Sequence, residues 1–377
     1  MIGRFLGVAL LFAAAGATAT EQKTEPYPNL GLLHRDNASP VLQKLWVLGR
    51  YHGQYHWSEG NAGSDDGWED RRFRLGGQAR LFQKLTLHAQ AVSGSDFEPF
   101  YNGFTELWAG WRFSDAVTLT VGQQKHRFTH DRNVSSRYIN YLERGMLTNM
   151  FGLDYTPAVT LSGTVRKDWT YYTGVFSNAT GRNMGRAFTD LDSGYSFLAS
   201  VTRDLHGALG TDTAHLNLGY LHSDAKSNAT NLNRFEDGLN VALIITRGTR
   251  SLATELTAGI GGAGGSALGL NVQPSMFLTR NLQVVGRYQV AVSDSERGLR
   301  AQRRYERPAG LNRGELYQAG YVGADYYLAA HRLKLMVGLE YARLDSRDVW
   351  TTSVAVRTFF GPHSRAPFPA GTMLEPD

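Results

Sequence analysis

Stretches of about ten residues that alternate apolar and polar side chains recur along almost the whole chain, and tight and long connections alternate between them. Residues 116–127 (AVTLTVGQQKHR) put Val117, Leu119 and Val121 on one face and Thr118, Thr120 and Gln124 on the other. A period of two means an extended strand with one apolar and one wet side. Repeated behind a secretion signal, it predicts an all-β fold, a transmembrane antiparallel β-barrel with a polar lumen.

The N-terminus reads as that signal. Arg4 supplies a charged start, Phe5 to Ala15 an apolar stretch, and Ala17-Thr18-Ala19 a small-residue cleavage site. Residues 1–19 are therefore expected to be removed, 20–41 to form an N-terminal periplasmic segment, and 42–360 to form the barrel of a bacterial outer membrane. Beyond the signal no run approaches the roughly 18 apolar residues a spanning helix needs. The chain has no cysteine, which excludes disulfide staples, thiol catalysis and Cys-ligated zinc.

Alternation and turn signals together predict about 16 strands, an even number as in bacterial single-chain barrels. Their expected spans are 42–56, 69–81, 84–94, 103–114, 116–127, 154–166, 168–178, 193–204, 212–222, 236–247, 250–261, 266–278, 281–292, 315–328, 332–344 and 349–360. Leu333, Leu335, Val337, Leu339 and Tyr341 share a face that must meet lipid, and Lys334, Gly338 and Glu340 face the lumen. A charge at mid-bilayer would cost about 2–4 kcal/mol. Connections after even strands are mostly tight, whereas 57–68, 128–153, 179–192, 223–235 and 293–314 read as long extracellular loops. Pro157 and Pro274 fall inside strands and predict local breaks in the ladder.

The chemistry lies in cations on the wet faces. Residues 69–81 (EDRRFRLGGQARL) place Arg72, Arg74 and Arg80 opposite Phe73, Leu75, Ala79 and Leu81. Arg112, Arg166, Arg287 and Arg357 also fall on polar faces. A guanidinium is permanently charged and suits phosphate or carboxylate, and rings of such groups select anions in pores. The alternative is a wall whose arginines pair with acids such as Glu69, Asp70 and Glu106. The longest loop, 128–153, is expected to fold into the lumen as a constriction; it carries Arg132, Arg137 and Arg144, led in by Lys125, His126 and Arg127, against Asp131 and Glu143. A second basic loop, 297–313, reads as an electropositive funnel or as a contact for lipopolysaccharide phosphates.

The runs WEDRRFRLGGQARLF, VGQQKHRF, SSRYINYLERGM, GADYYLAAHRLKLMVGLEYARL and VAVRTFF resemble the phosphate-selective porin O and P family. The matching positions are Gly122, Lys125, Phe128, Ser135, Ser136, Glu143 and Arg144, then His331, Arg332, Leu333, Lys334 and Leu335. The resemblance covers about 42–360. It implies a 16-stranded porin, often a homotrimer, that passes phosphate, polyphosphate or other small inorganic anions without a cofactor. One departure is a proline-rich tail, 361–377, after the aromatic pair Phe359-Phe360.

The rivals are weaker. Eleven histidines and many serines form no G-x-S-x-G or H-E-x-x-H motif. His52 and His56 have helical spacing on a strand, so a metal site is not expected. No nucleic-acid partner is expected. A general, weakly selective porin and a plugged structural or adhesive barrel stay open. Thr254, Ala258 and Pro274 make part of the outer wall less apolar, where another subunit could pack.

Overall fold

The computed structural model describes residues 27–179, 193–225, 229, 234–302 and 304–362. The expected signal at 1–19 and the tail beyond Pro362 lie outside these residues. The described strands are β1 (Leu32–Arg35), β2 (Leu42–Gly60), β3 (Gly63–Leu81), β4 (Leu85–Val92), β5 (Phe104–Arg112), β6 (Thr118–Lys125) and β7 (Tyr155–Arg166). They continue with β8 (Trp169–Ser177), β9 (Gly194–Asp204), β10 (Thr213–Ala225), β11 (Asp237–Arg247), β12 (Arg250–Ile260), β13 (Ala267–Phe277) and β14 (Leu282–Ser293). The short pair β15 (Leu299–Arg300) and β16 (Arg313–Gly314) precedes β17 (Leu316–Ala329), β18 (Leu333–Leu344) and β19 (Arg347–Phe360).

Sixteen of these, β2 to β14 and β17 to β19, pair antiparallel in chain order, and β19 returns to β2 from Val349↔Gly60 to Phe360↔Gly49. The sheet is therefore a closed barrel with no free edge. Apart from β2 and β3, which run on toward each other, each strand falls on its expected span within a few residues. Leu335, Val337 and Leu339 are exposed on the outside while Lys334 is fully buried, so the pleat sorts the faces as lipid requires.

One expectation needs correction. The 57–68 segment is not a long loop. β2 and β3 stay paired to Gly60↔Gly63, leaving only Asn61 and Ala62 as the turn. Tyr55, Trp57 and Trp68 keep the alternation going on the outer face, and the acidic Asp65 and Asp66 that suggested a loop sit on an extended, water-facing ribbon. In the N-terminal segment, β1 pairs with β2 through Leu32↔Trp46 and Arg35↔Lys44. The inner face is not uniformly polar. Tyr172, Phe176, Leu198 and Leu221 form one buried cluster with Phe128, Met146, Leu147, Met150 and Phe151 of the segment between β6 and β7.

Two irregularities position the site. The β2–β3 register shifts at His52/Gly53, so Arg72 and Asp70 have partners and Arg71 between them has none. This bulge sends neighbouring arginines to the same side. In β13, pairing with β14 stops at Val272↔Tyr288 and resumes at Ser275↔Val285. Pro274 lies in that gap opposite Gly286 and has no N–H to give.

Candidate functional site

The segment 126–154 is built around two short helices. Thr129 caps α1 (His130–Asn133) by accepting from the Arg132 amide at 3.3 Å. The second, α2 (Met146–Phe151), ends on Gly152 at φ +64°, the left-handed conformation that glycine adopts freely. The apolar side chains of α2 are buried, which fixes this segment against β8 to β10 and β13.

Its other side is held by hydrogen bonds and ion pairs to inward-facing residues. Glu143 pairs with Arg71 and lies 3.6 Å from Arg72, at the bulge of β3. Arg287 on β14 donates to the Glu143 carbonyl at 2.8 Å and to Glu340 on β18 at 2.8 Å. Lys334 reaches the Ile139 carbonyl at 2.8 Å and Asp325 at 3.2 Å, and Arg357 reaches the Leu142 carbonyl at 2.6 Å. Glu255 accepts from the His130 amide, and Gln289 from the Met146 amide, each at 2.6 Å. Tyr141 donates to the Gly286 carbonyl at 2.8 Å. Burial alone would raise the Glu143 carboxyl, but Arg71 and Arg72 hold it down at about 2. Burial and the nearby Arg132 lower Arg144 to about 10, which leaves it charged at neutral pH.

The expected pore residues divide into three sets. Arg74, Lys125, Arg127, Arg132, Arg137 and Arg144 come together around 126–154. Arg74 on β3 and Arg132 on the loop sit over the same Tyr155 ring, 5.3 and 4.7 Å from its centroid, and Arg74 donates to the Tyr155 hydroxyl at 3.1 Å. Arg127 lies 5.1 Å from the Tyr172 ring, and Lys125 donates to the Asn133 carbonyl at 3.2 Å. Arg144 binds the Asp131 and Val134 carbonyls, and Arg137 binds the Pro362 carbonyl at 2.8 Å. Among the described residues, no carboxylate lies within ion-pair distance of Arg74, Lys125, Arg127, Arg137 or Arg144, while Arg132 is 3.7 Å from Asp154.

Arg72 and Arg287 form the second set, neutralised by Glu143, Glu340 and Asp131. The third set is remote. Arg80 donates to the Gln83 carbonyl at the short-turn rim, Arg112 pairs with Asp115 there, and Arg166 is exposed at the end of β7. Arg72, Arg74 and Arg80 thus do not form one continuous ladder.

Two contributors escaped the sequence reading. Arg71 is turned inward only by the bulge, which the HPHP pattern does not announce. Arg50 on β2 donates to Ser136 at 2.6 Å and is buried; its alternation with His52, Gln54 and His56 was a usable signal. Gly122 sits at φ +125°, and a Cβ there would come within 2.7 Å of the Trp108 backbone. The glycine lets β5 and β6 approach at this level.

In the 297–313 loop, Arg304 pairs with Glu69, Tyr305 and Glu306 are buried, and Arg297, Arg307 and Arg313 are exposed. Arg303 lies outside the described residues.

A family model described as phosphate-selective porin O and P matches residues 48–244. No curated protein matches the chain in sequence. Among solved structures, the fold is similar to Pseudomonas putida OprB at a TM-score of 0.59 and 10% identity, covering 84% of this chain and 94% of that one. An anion-selective porin from Comamonas acidovorans has a TM-score of 0.59 at 12% identity, covering 84% and 99%. Acinetobacter baumannii DcaP, an outer membrane channel, gives 0.54 at 13% identity, covering 87% and 100%. At such identities the likeness concerns the fold.

Proposed function

Because this chain belongs to the phosphate-selective porin O and P family and is a porin channel of the bacterial outer membrane, we propose that it passes small anions, phosphate among them, by electrostatic selection. The observation that carries this reading is the group of buried or half-buried cations with no described carboxylate within 4 Å: Arg50, Arg74, Lys125, Arg127, Arg137 and Arg144. Segment 126–154 presents several of them beside the wall, and in this reading it lies across the lumen as its constriction. A low-dielectric wall strengthens each charge and raises the local anion concentration.

Arg71, Arg72, Arg287 and Lys334 serve the loop's position rather than the solute, because each is paired with a carboxylate. Arg297, Arg307 and Arg313 would draw anions to the outer mouth or hold lipopolysaccharide phosphates. A homotrimer is the assembly proposed from the family, testable by cross-linking of the folded protein. The pairing of Arg71, Arg72 and Arg287 favours a second reading, a weakly selective porin whose arginines are mainly structural. Reversal potential in a KCl gradient separates the two, and block of chloride current by phosphate then identifies the preferred anion.

A further inference from the structure

The strand that closes the barrel hands the chain to the 126–154 segment. Phe359, buried near the end of β19, has its ring 5.8 Å from Tyr138 and 5.1 Å from the Arg137 guanidinium. Gly361 then donates to the Leu30 carbonyl at 2.9 Å, and its own carbonyl accepts from Arg332 at 3.4 Å. Pro362 is buried, and its carbonyl accepts from Arg137 at 2.8 Å.

That point lies beside charge that lacks a counter-charge. A carbonyl satisfies one N–H of Arg137 but brings no negative charge. Arg50, which donates to the adjacent Ser136 at 2.6 Å, lies among the charges of Arg137 and Arg74. Glu106 offsets part of this charge from further off. Among the described residues, no carboxylate lies within ion-pair distance of Arg50, Arg74 or Arg137.

Residues 363–377 (HSRAPFPAGTMLEPD) carry the missing sign in Glu375 and Asp377, against Arg365 near their start. Pro367, Pro369 and Pro376 favour an extended chain of about 3.1 Å per residue, so Glu375 can reach about 40 Å from Pro362. That exceeds the apolar band of a barrel, about 25 Å tall. A short tether also holds its charges at roughly millimolar effective concentration.

We propose that residues 363–377 are a tethered acidic ligand of this channel: Glu375 and Asp377 dock on Arg50, Arg74 and Arg137 and compete there with solute anions. The inference rests on the anion-channel reading and adds a competitor built into the chain. Ion pairs in contact with water are individually weak, so the segment exchanges with solute and is not a fixed plug. A half-occupied site doubles the solute concentration needed to fill it.

The test compares phosphate block of chloride current in planar bilayers for the full chain, for full-length Glu375→Gln/Asp377→Asn, and for a chain shortened after Pro362. In about 0.1 M KCl both variants should half-block at a phosphate concentration about twofold or more below that of the parent. In about 1 M KCl, where the Debye length is about 3 Å, the difference should vanish. A synthetic peptide of residues 363–377, added on the side of the short turns, should restore the parent's value to the shortened channel. The full-length variant keeps every barrel residue, so the comparison stands even where the shortened chain fails to fold. Equal half-blocking concentrations in the parent and the full-length variant at low salt overturn the tethered ligand alone. Cation preference with no phosphate block in any of these channels overturns the channel reading, and this inference with it.

Discussion

The Tyr141 hydroxyl donates to the Gly286 carbonyl at 2.8 Å. That carbonyl is free because the residue opposite it is Pro274, where the β13–β14 register is interrupted. A residue that weakens the wall therefore creates an attachment point for the loop. Tyr141 also packs edge-on against Tyr321 at 5.3 Å, under the Arg287 guanidinium at 4.6 Å. Tyr141→Phe removes one hydrogen bond, about 0.5–1.5 kcal/mol of loop attachment. Open-channel current noise should rise. Pro274→Ala should raise it too, because the new N–H competes for the same carbonyl. Quiet traces from both variants would mean that this contact does not hold the loop.

Glu143 is the ionic counterpart of that contact. Its carboxyl is held at about 2 by Arg71 and Arg72 in spite of burial. A depressed carboxylate contributes stability above its unfolded value, near 4.3, and loses it as pH falls toward about 2. Channel noise should therefore stay flat from neutral pH to about 4 and rise only below that. Glu143→Gln should show the noisy behaviour at neutral pH and shift ion selectivity further toward anions, since two guanidiniums lose their counter-charge. A conductance change centred at pH 4 to 5 would assign ordinary titration to Glu143 and contradict the latch.

The barrel itself was written plainly in the sequence, because a period of two survives wherever one face meets lipid. Leu335, Val337 and Leu339 against Lys334 is such a case. What did not show was anything that depends on contacts between distant parts of the chain. The bulge that turns Arg71 inward is set by the β2–β3 register. The neutralisation of Arg72 and Arg287 needs Glu143, Asp131 and Glu340, which are far away in sequence. Polar residues at 57–68 suggested a loop because a strand rising into water loses its lipid signature. Apolar inner positions such as Phe176 and Leu198 match partners on the loop rather than on their own strands.

The outward face makes a direct energetic prediction. Val337 is exposed near the middle of β18, so Val337→Arg would set a charge in lipid and destabilise the folded barrel by about 2–4 kcal/mol. Denaturant titration in vesicles reads this directly. The inward-facing neighbour Met336, in the cluster with Tyr141 and Tyr321, should instead respond to truncation: Met336→Ala should cost about 2–5 kcal/mol as a cavity. Equal tolerance of Arg at both positions would contradict the assignment of faces.

Position along the barrel should decide which arginines matter to ions. Arg112 is paired with Asp115 at the rim and Arg166 is exposed there. Alanine at either should leave the reversal potential within error. Alanine at Arg74, over the Tyr155 ring, or at Arg144, which binds the Asp131 and Val134 carbonyls, should move it toward zero. Equal shifts from all four would show that charge acts by its total rather than by its place.

The central claim is that cations without carboxylate partners make the lumen prefer anions. The most direct measurement is the reversal potential of the unmodified channel in a tenfold KCl gradient across a planar bilayer. The account predicts the sign of a chloride-preferring pore, weakened by Arg74→Ala. A reversal potential of the opposite sign, or one at zero, would contradict it.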